Sequence, residues 1–286
     1  MASRRRTAGL GLALTLAGCG HAASPALACD AGRHVQAAHA GRSLGRAPLA
    51  LGDSTMIYAA PVLGRLGVEA DARGCRGFAD GVGILASRRR AGTLPRVVVL
   101  ALGANGSTNA GLISHALRVV GRRRILALVT PRNQPGGAAA MRRAAARFPD
   151  RVLLVDWVRH SARHDGWFGQ DHLHVGQPGA NAYARLIRRT IAPFAFPPVG
   201  SLRLPSHAAG AQRCGTVRRS WRRLRVYVTR GKPRITCRRA RQLARLPALR
   251  RIANWRVYDW RGARRSPWDW VLSRRDRRVV VGAVEV

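Results

Sequence analysis

The sequence predicts an α/β protein, a doubly wound parallel sheet followed by a small, basic, β-rich domain. Three observations carry this. Short, wholly apolar runs recur along the first half of the chain, as strands buried on both faces require. Helix-like stretches separate them, and that alternation marks parallel strands joined by crossovers. Then prolines cluster, and the composition turns dense in arginine and tryptophan.

In chain order, the expected strands are Ala47–Leu51, Val68–Ala72, Val97–Leu102, Ile125–Val129 and Val152–Val155. The expected helices are Met56–Leu66, Ala110–Val120, Ala138–Phe148 and Ala180–Ile191. Residues 29–45 are polar and rich in Ala, Gly and His, which predicts an irregular arm. Pro193, Pro197, Pro198 and Pro205 mark a linker. The expected division is 46–195 for the α/β domain, 196–212 for the linker and 213–286 for the basic domain. In the last, Arg222–Thr229, Pro233–Cys237 and Arg277–Val284 read as strands.

The chain of 286 residues carries 51 Lys+Arg against 13 Asp+Glu, a formal charge of +38. Lys232 is the one lysine, a skew that codon bias explains in part. Bias does not remove carboxylates, so attraction to an anionic cell-wall polymer or an anionic membrane surface is expected. A specific nucleic-acid reader is not, because no such motif is present. The expected state is a monomer without cofactor.

The N-terminus opens Met1-Ala-Ser-Arg-Arg-Arg6 and continues into an apolar stretch, Thr7–Ala17. A basic region followed by a short apolar one reads as an export signal over 1–28. Leu16-Ala-Gly-Cys19 resembles a lipobox, with Cys19 the lipidated residue, while Ala26-Leu-Ala28 fits ordinary cleavage. Both place the mature protein in the cell envelope or outside it. Four cysteines then remain, and an oxidising compartment allows three pairings. Pairing within each domain gives Cys29–Cys75 and Cys214–Cys237.

The chemistry is concentrated in three segments. Leu49-Ala-Leu-Gly52-Asp53-Ser54 ends a buried strand at a glycine turn and presents a serine where a helix begins. Free N–H groups there can stabilise an oxyanion. Gly103-Ala-Asn105 follows the next strand and can offer the Asn105 amide as a second donor. Trp167-Phe-Gly-Gln-Asp171-His172-Leu-His174 places a carboxylate three residues before an imidazole. Asp171 would fix the tautomer of His174, which would take the Ser54 proton. His172 is an alternative base. It also forms, with His174, a pair at metal-ligand spacing, but no third ligand accompanies them and no metal is expected.

The order and spacing of these segments resemble the SGNH, or GDSL, hydrolase family over about residues 45–195. Gly52-Asp53-Ser54 resembles its first block, Gly103-Ala-Asn105 its third and Asp171-His-Leu-His174 its fifth. The second block supplies an oxyanion N–H, for which Gly74 and Gly77 are both candidates. Asp71-Ala-x-x-x-Arg76 and Trp167-Phe168 are most similar to the SGNH domains related to cell-wall O-acetyltransferases. The resemblance implies a flavodoxin-like, three-layer α/β/α sandwich and a serine esterase acting on O-acyl, in particular O-acetyl, esters. Membrane-bound O-acetyltransferases with this domain carry many transmembrane helices. None is read here beyond the export signal, which favours a stand-alone hydrolase over a transferase. A wall- or polyanion-binding protein that keeps the fold without activity is the alternative of a different class.

Overall fold

The computed structural model describes residues 29–39, 45–196, 211–219, 222–228, 235–245, 255–259, 270–274 and 280–285. The expected export signal, Cys19 and residues 197–210 of the expected linker lie outside them.

The main sheet contains β1 (Gly32–Val35), β2 (Leu49–Gly52), β3 (Glu69–Arg73), β4 (Val97–Ala101), β5 (Ile125–Val129) and β6 (Val152–Val155). Their order is β1-β3-β2-β4-β5-β6. β1 pairs antiparallel with β3, and the other pairings are parallel. The parallel strands therefore follow the flavodoxin-like order, in which successive crossovers diverge between β2 and β4. That divergence opens a crevice at the carboxyl ends of those two strands.

Alternation along each strand feeds two hydrophobic layers. Leu49, Leu51, Val98, Leu100, Leu126 and Leu128 face one core. Helices α2 (Phe78–Arg90), α3 (Ala110–Val120) and α4 (Pro135–Arg147) pack on it. Ala50, Val97, Val99 and Ala127 face the other. It is closed by α1 (Ala60–Arg65), the short α5 (Trp157–Ser161) and the long α6 (Gln177–Ala195). The result is a three-layer α/β/α sandwich in which β2, β4, β5 and β6 carry no polar side chain.

A second sheet holds β7 (Gln212–Arg219), β8 (Arg222–Val228), β9 (Trp255–Asp259), β10 (Trp270–Arg274) and β11 (Val280–Glu285). Its order is β7-β8-β11-β10-β9, antiparallel throughout. Helix α7 (Cys237–Arg245) buries Ala240, Leu243 and Ala244. Disulfides join Cys29 to Cys75 and Cys214 to Cys237.

Several local expectations are corrected. Residues 32–35 are not irregular but form an edge strand on β3. The expected helix Met56–Leu66 divides into a 3-10 turn, Ser54–Ala59, and α1, because Pro61 sits in the first turn of α1 and Pro is suited to that position. Helix α6 runs through Pro193 to Ala195, held by the buried Phe194 and Ala195. Cys237 opens a helix rather than closing a strand. Thr236 caps it, its hydroxyl accepting from the Arg239 N–H at 3.3 Å.

Candidate active site

The crevice between β2 and β4 is built first from the turn after β2. A Cβ on Gly52 would come within 2.6 Å of the Met56 Cβ, so glycine is required for the chain to fold back so tightly. Asp53, 1% exposed, caps the 3-10 turn. Its Oδ1 accepts from the Thr55 N–H at 3.0 Å and the Thr55 hydroxyl at 2.6 Å. Its Oδ2 accepts from the Ala104 N–H at 3.1 Å. Asp53 thus does the capping, links the turn after β2 to the loop after β4, and leaves the Ser54 hydroxyl uncommitted to structure. Burial raises the Asp53 carboxyl above the usual carboxylate range, and these hydrogen bonds offset only part of that.

The imidazole arrives on the loop between Trp167 and Gly176. That loop closes on itself. The Gly169 N–H donates to the His174 carbonyl at 2.8 Å, and the Gly176 N–H to the Trp167 carbonyl at 2.9 Å. Asp171 Oδ1 accepts from the Leu173 and His174 N–H groups, each at 3.0 Å. Its Oδ2 meets His174 Nδ1, and His174 Nε2 lies 2.8 Å from Ser54 Oγ. The structure therefore joins hydroxyl, imidazole and carboxylate in series. Desolvation works against the Asp171 charge, but the imidazole and the two N–H groups outweigh it and hold the carboxyl at about 2. His172 is exposed and has a left-handed backbone, φ 52°. Between the two histidines, only His174 reaches Ser54.

Two arginines brace the framework. Arg76 donates to the Gly52 carbonyl at 3.2 Å and pairs with Asp71 at 2.8 Å, tying the end of β2 to β3. Arg132, just past β5, donates from Nε to the His172 carbonyl at 3.1 Å and from a terminal nitrogen to the Ser161 hydroxyl at 3.1 Å. Its guanidinium stacks 4.1 Å from the centre of the Phe168 ring. Trp167 is sandwiched between His164 and Trp157, with ring centroids 3.9 Å and 5.7 Å away. The sequence reading noted the Asp71–Arg76 spacing but missed Arg132. Its only sequence signal is its position after a buried strand, and in a chain with 51 basic residues one more arginine does not stand out.

The third segment lies across the crevice. Gly103 has φ 124°, a backbone that only glycine adopts freely. Asn105 follows, its Nδ2 buried and without a hydrogen-bond partner among the described residues. A buried donor left unpaired costs stability, so such an atom commonly marks a place where a ligand supplies the acceptor. Gly77 adjoins it: a Cβ there would lie 3.7 Å from the Asn105 carbonyl oxygen. The Gly77 N–H donates to Asp80 Oδ2 at 2.8 Å, and the Gly74 N–H to the Ala31 carbonyl at 2.7 Å. A cavity of about 10 Å³ beside Asp53, bordered by Thr55, Thr130, Trp157 and Tyr183, has room for one water-sized group.

No family model matches the chain. It is 28% identical over 149 residues to the O-acetyltransferase OatA of Staphylococcus aureus strain NCTC 8325, and equally to that of strain COL. The match covers 50% of this chain and 25% of those relatives, so the chain spans about a quarter of their length. Among solved structures it is similar to the C-terminal catalytic domain of the Streptococcus pneumoniae peptidoglycan O-acetyltransferase A. That match has 22% identity, a TM-score of 0.46, and coverage of 51% of this chain and 92% of that one. A carbohydrate esterase family 3 protein from Talaromyces cellulolyticus matches at 13% identity and a TM-score of 0.40, covering 51% and 96%. The chain resembles SGNH hydrolases, as its motifs imply.

Proposed function

We propose that this protein is an exported serine enzyme that takes a short O-acyl group, in particular acetyl, from an ester of a cell-envelope glycan. The observation that carries the reading is the series of contacts from Asp171 through His174 to Ser54 Oγ, with 2.8 Å at the last step. Ser54 Oγ attacks the ester carbonyl while His174 Nε2 accepts its proton. The Ser54 N–H and Asn105 Nδ2 receive the negative charge on oxygen. The intermediate collapses to an acyl-serine, and the leaving alcohol takes the proton from His174. Water, activated by the same imidazole, then attacks the acyl-serine and releases the acid.

Of the second-block candidates, Gly77 suits the oxyanion better, because it adjoins Asn105 and its partner Asp80 is exposed. Gly74 is buried and committed to Ala31. The two disulfides support an oxidising compartment. Lipidation at Cys19 and full secretion are both compatible with this reading.

Similarity to proteins named O-acetyltransferases favours a second acceptor, a glycan hydroxyl, in place of water. One experiment addresses both. The protein is incubated with p-nitrophenyl acetate, with and without a muropeptide acceptor, beside Ser54→Ala. Expected is burst release of nitrophenol from the wild type and none from the variant, with acetate as the main product. Acetylated muropeptide as the main product would favour the transferase. Turnover by folded Ser54→Ala would reject the enzyme reading as built here.

A further inference from the structure

Parallel strands point their carboxyl ends at the crevice described above, so their amino ends lie on the opposite edge of the sheet. Arg96, Arg124 and Arg151 immediately precede β4, β5 and β6 there. A strand of this length spans about 16 Å, so this edge is well separated from Ser54. A groove of about 490 Å³ opens on it, lined by Arg89, Arg118, Arg122 and Arg151 with Leu117 and Phe148 among the remaining residues. None of its lining residues is acidic.

Part of this charge is structural. Arg89 donates from one terminal nitrogen to the carbonyls of Arg118 and Val119 at 2.8 and 2.7 Å. Arg151 donates to those of Leu117 and Gly121 at 2.7 and 3.0 Å. Both thus close the C-terminus of α3, where about half a negative charge resides. The Arg118 side chain takes no part in that closure. Arg118 is exposed and forms no ion pair among the described residues. Burial, then the charge of Arg89, lowers the Arg124 guanidinium, a sign that positive charge accumulates here.

We infer that this groove binds a linear polymer of phosphates, recognised through its anionic oxygens. The chemistry is guanidinium to phosphate, for which the planar donor fork is well matched. The occupant is a chain rather than a bilayer, because the surface is concave and Leu117 is buried at its floor. Among the described residues the one large hydrophobic side chain that is strongly exposed is Tyr58, in the 3-10 turn after Ser54 and away from the groove. Nucleic acid is disfavoured because the groove offers no open aromatic face. Phe148 is half-buried, with the Arg147 guanidinium 5.5 Å over its ring. Bound there, the polymer leaves the crevice clear, so the enzyme works while held on an anionic matrix.

The test uses the whole protein and fluorescent inorganic polyphosphate, with affinity measured across salt concentrations. The variants are Arg118→Gln/Arg122→Gln and, as a control of equal charge on the exposed side of α6, Arg185→Gln/Arg189→Gln. The groove variant should bind at least about tenfold more weakly and lose about 1.4 from the salt slope, at about 0.7 for each phosphate contact. The control should change less than about twofold, and both should keep wild-type p-nitrophenyl acetate turnover and melting temperature. Arg118→Lys/Arg122→Lys should restore most of the slope. Equal losses in both variants, or none, would show only diffuse attraction and overturn the site. Phosphatidylglycerol vesicles or single-stranded DNA binding more tightly than polyphosphate, with the same dependence on Arg118 and Arg122, would overturn the choice of ligand.

Discussion

At the scale of single residues, the crevice asks for two kinds of group: atoms that react and atoms that hold them. We place Asn105 with the first kind, since its Nδ2 is buried with no acceptor among the described residues. Asn105→Ala should lower kcat by about 10²- to 10³-fold, the usual cost of one oxyanion donor, with KM little changed. An equal loss in KM would instead mark Asn105 as a substrate-binding residue. Arg132 belongs to the second kind. It grips the carbonyl of His172, two residues before the imidazole, and the ring of Phe168. Arg132→Gln should cut the rate of phosphonate labelling at Ser54 by about 10- to 100-fold through misplacement of His174, while thermal stability falls little. Unaltered labelling would mean that the loop closes without it. The residues that line the crevice were legible from the sequence because glycine, serine, asparagine and histidine at strand ends are sparse and spaced. The bracing ones were not, because arginine is everywhere in this chain and a brace is defined by what it touches.

At the scale of elements, the strands of the main sheet were legible because burial on both faces leaves unbroken apolar runs. Helix α2 was missed for the converse reason. Its buried face is Phe78, Gly81, Val82 and Leu85, diluted by glycines and followed by three arginines. Glycine reads as loop in a sequence, yet here it is a packing residue: a Cβ on Gly81 would meet Leu102 at 2.2 Å. The same logic governs the junction between α6 and the histidine loop. A Cβ on Gly179 would lie 2.3 Å from the Trp167 carbonyl oxygen, a rigid backbone atom that also accepts from Gly176. Gly179→Ala must therefore push the loop away from α6. Expected is a loss of Ser54 labelling larger than the loss of stability, with a change in tryptophan fluorescence as Trp167 leaves its sandwich. A variant with native fluorescence and full labelling would show that the helix, not the loop, gives way.

At the scale of the whole molecule, the two sheets meet in one apolar core. The cluster holding Ala50 and Val99 of the main sheet also holds Val217, Leu224 and Val281 of the second. We therefore read the expected units, 46–195 and 213–286, as folding together. An ion pair tests the idea. Arg219 of β7, with its side chain 3% exposed, meets Asp150, 13% exposed, at 3.3 Å, just ahead of β6. Removing one partner of a pair this deeply buried leaves an uncompensated charge, at a cost of about 3 kcal/mol or more. Asp150 lies just ahead of β6, at the amino ends of the strands and away from Ser54. In Asp150→Asn the loss should thus appear as a lower melting temperature with kcat unchanged below the transition. If the sheets share one cooperative unit, calorimetry will show a single transition in both proteins, shifted down in the variant. Two resolved transitions, with only the less stable one displaced, would mean that the second sheet folds on its own and that the shared apolar core does not couple them.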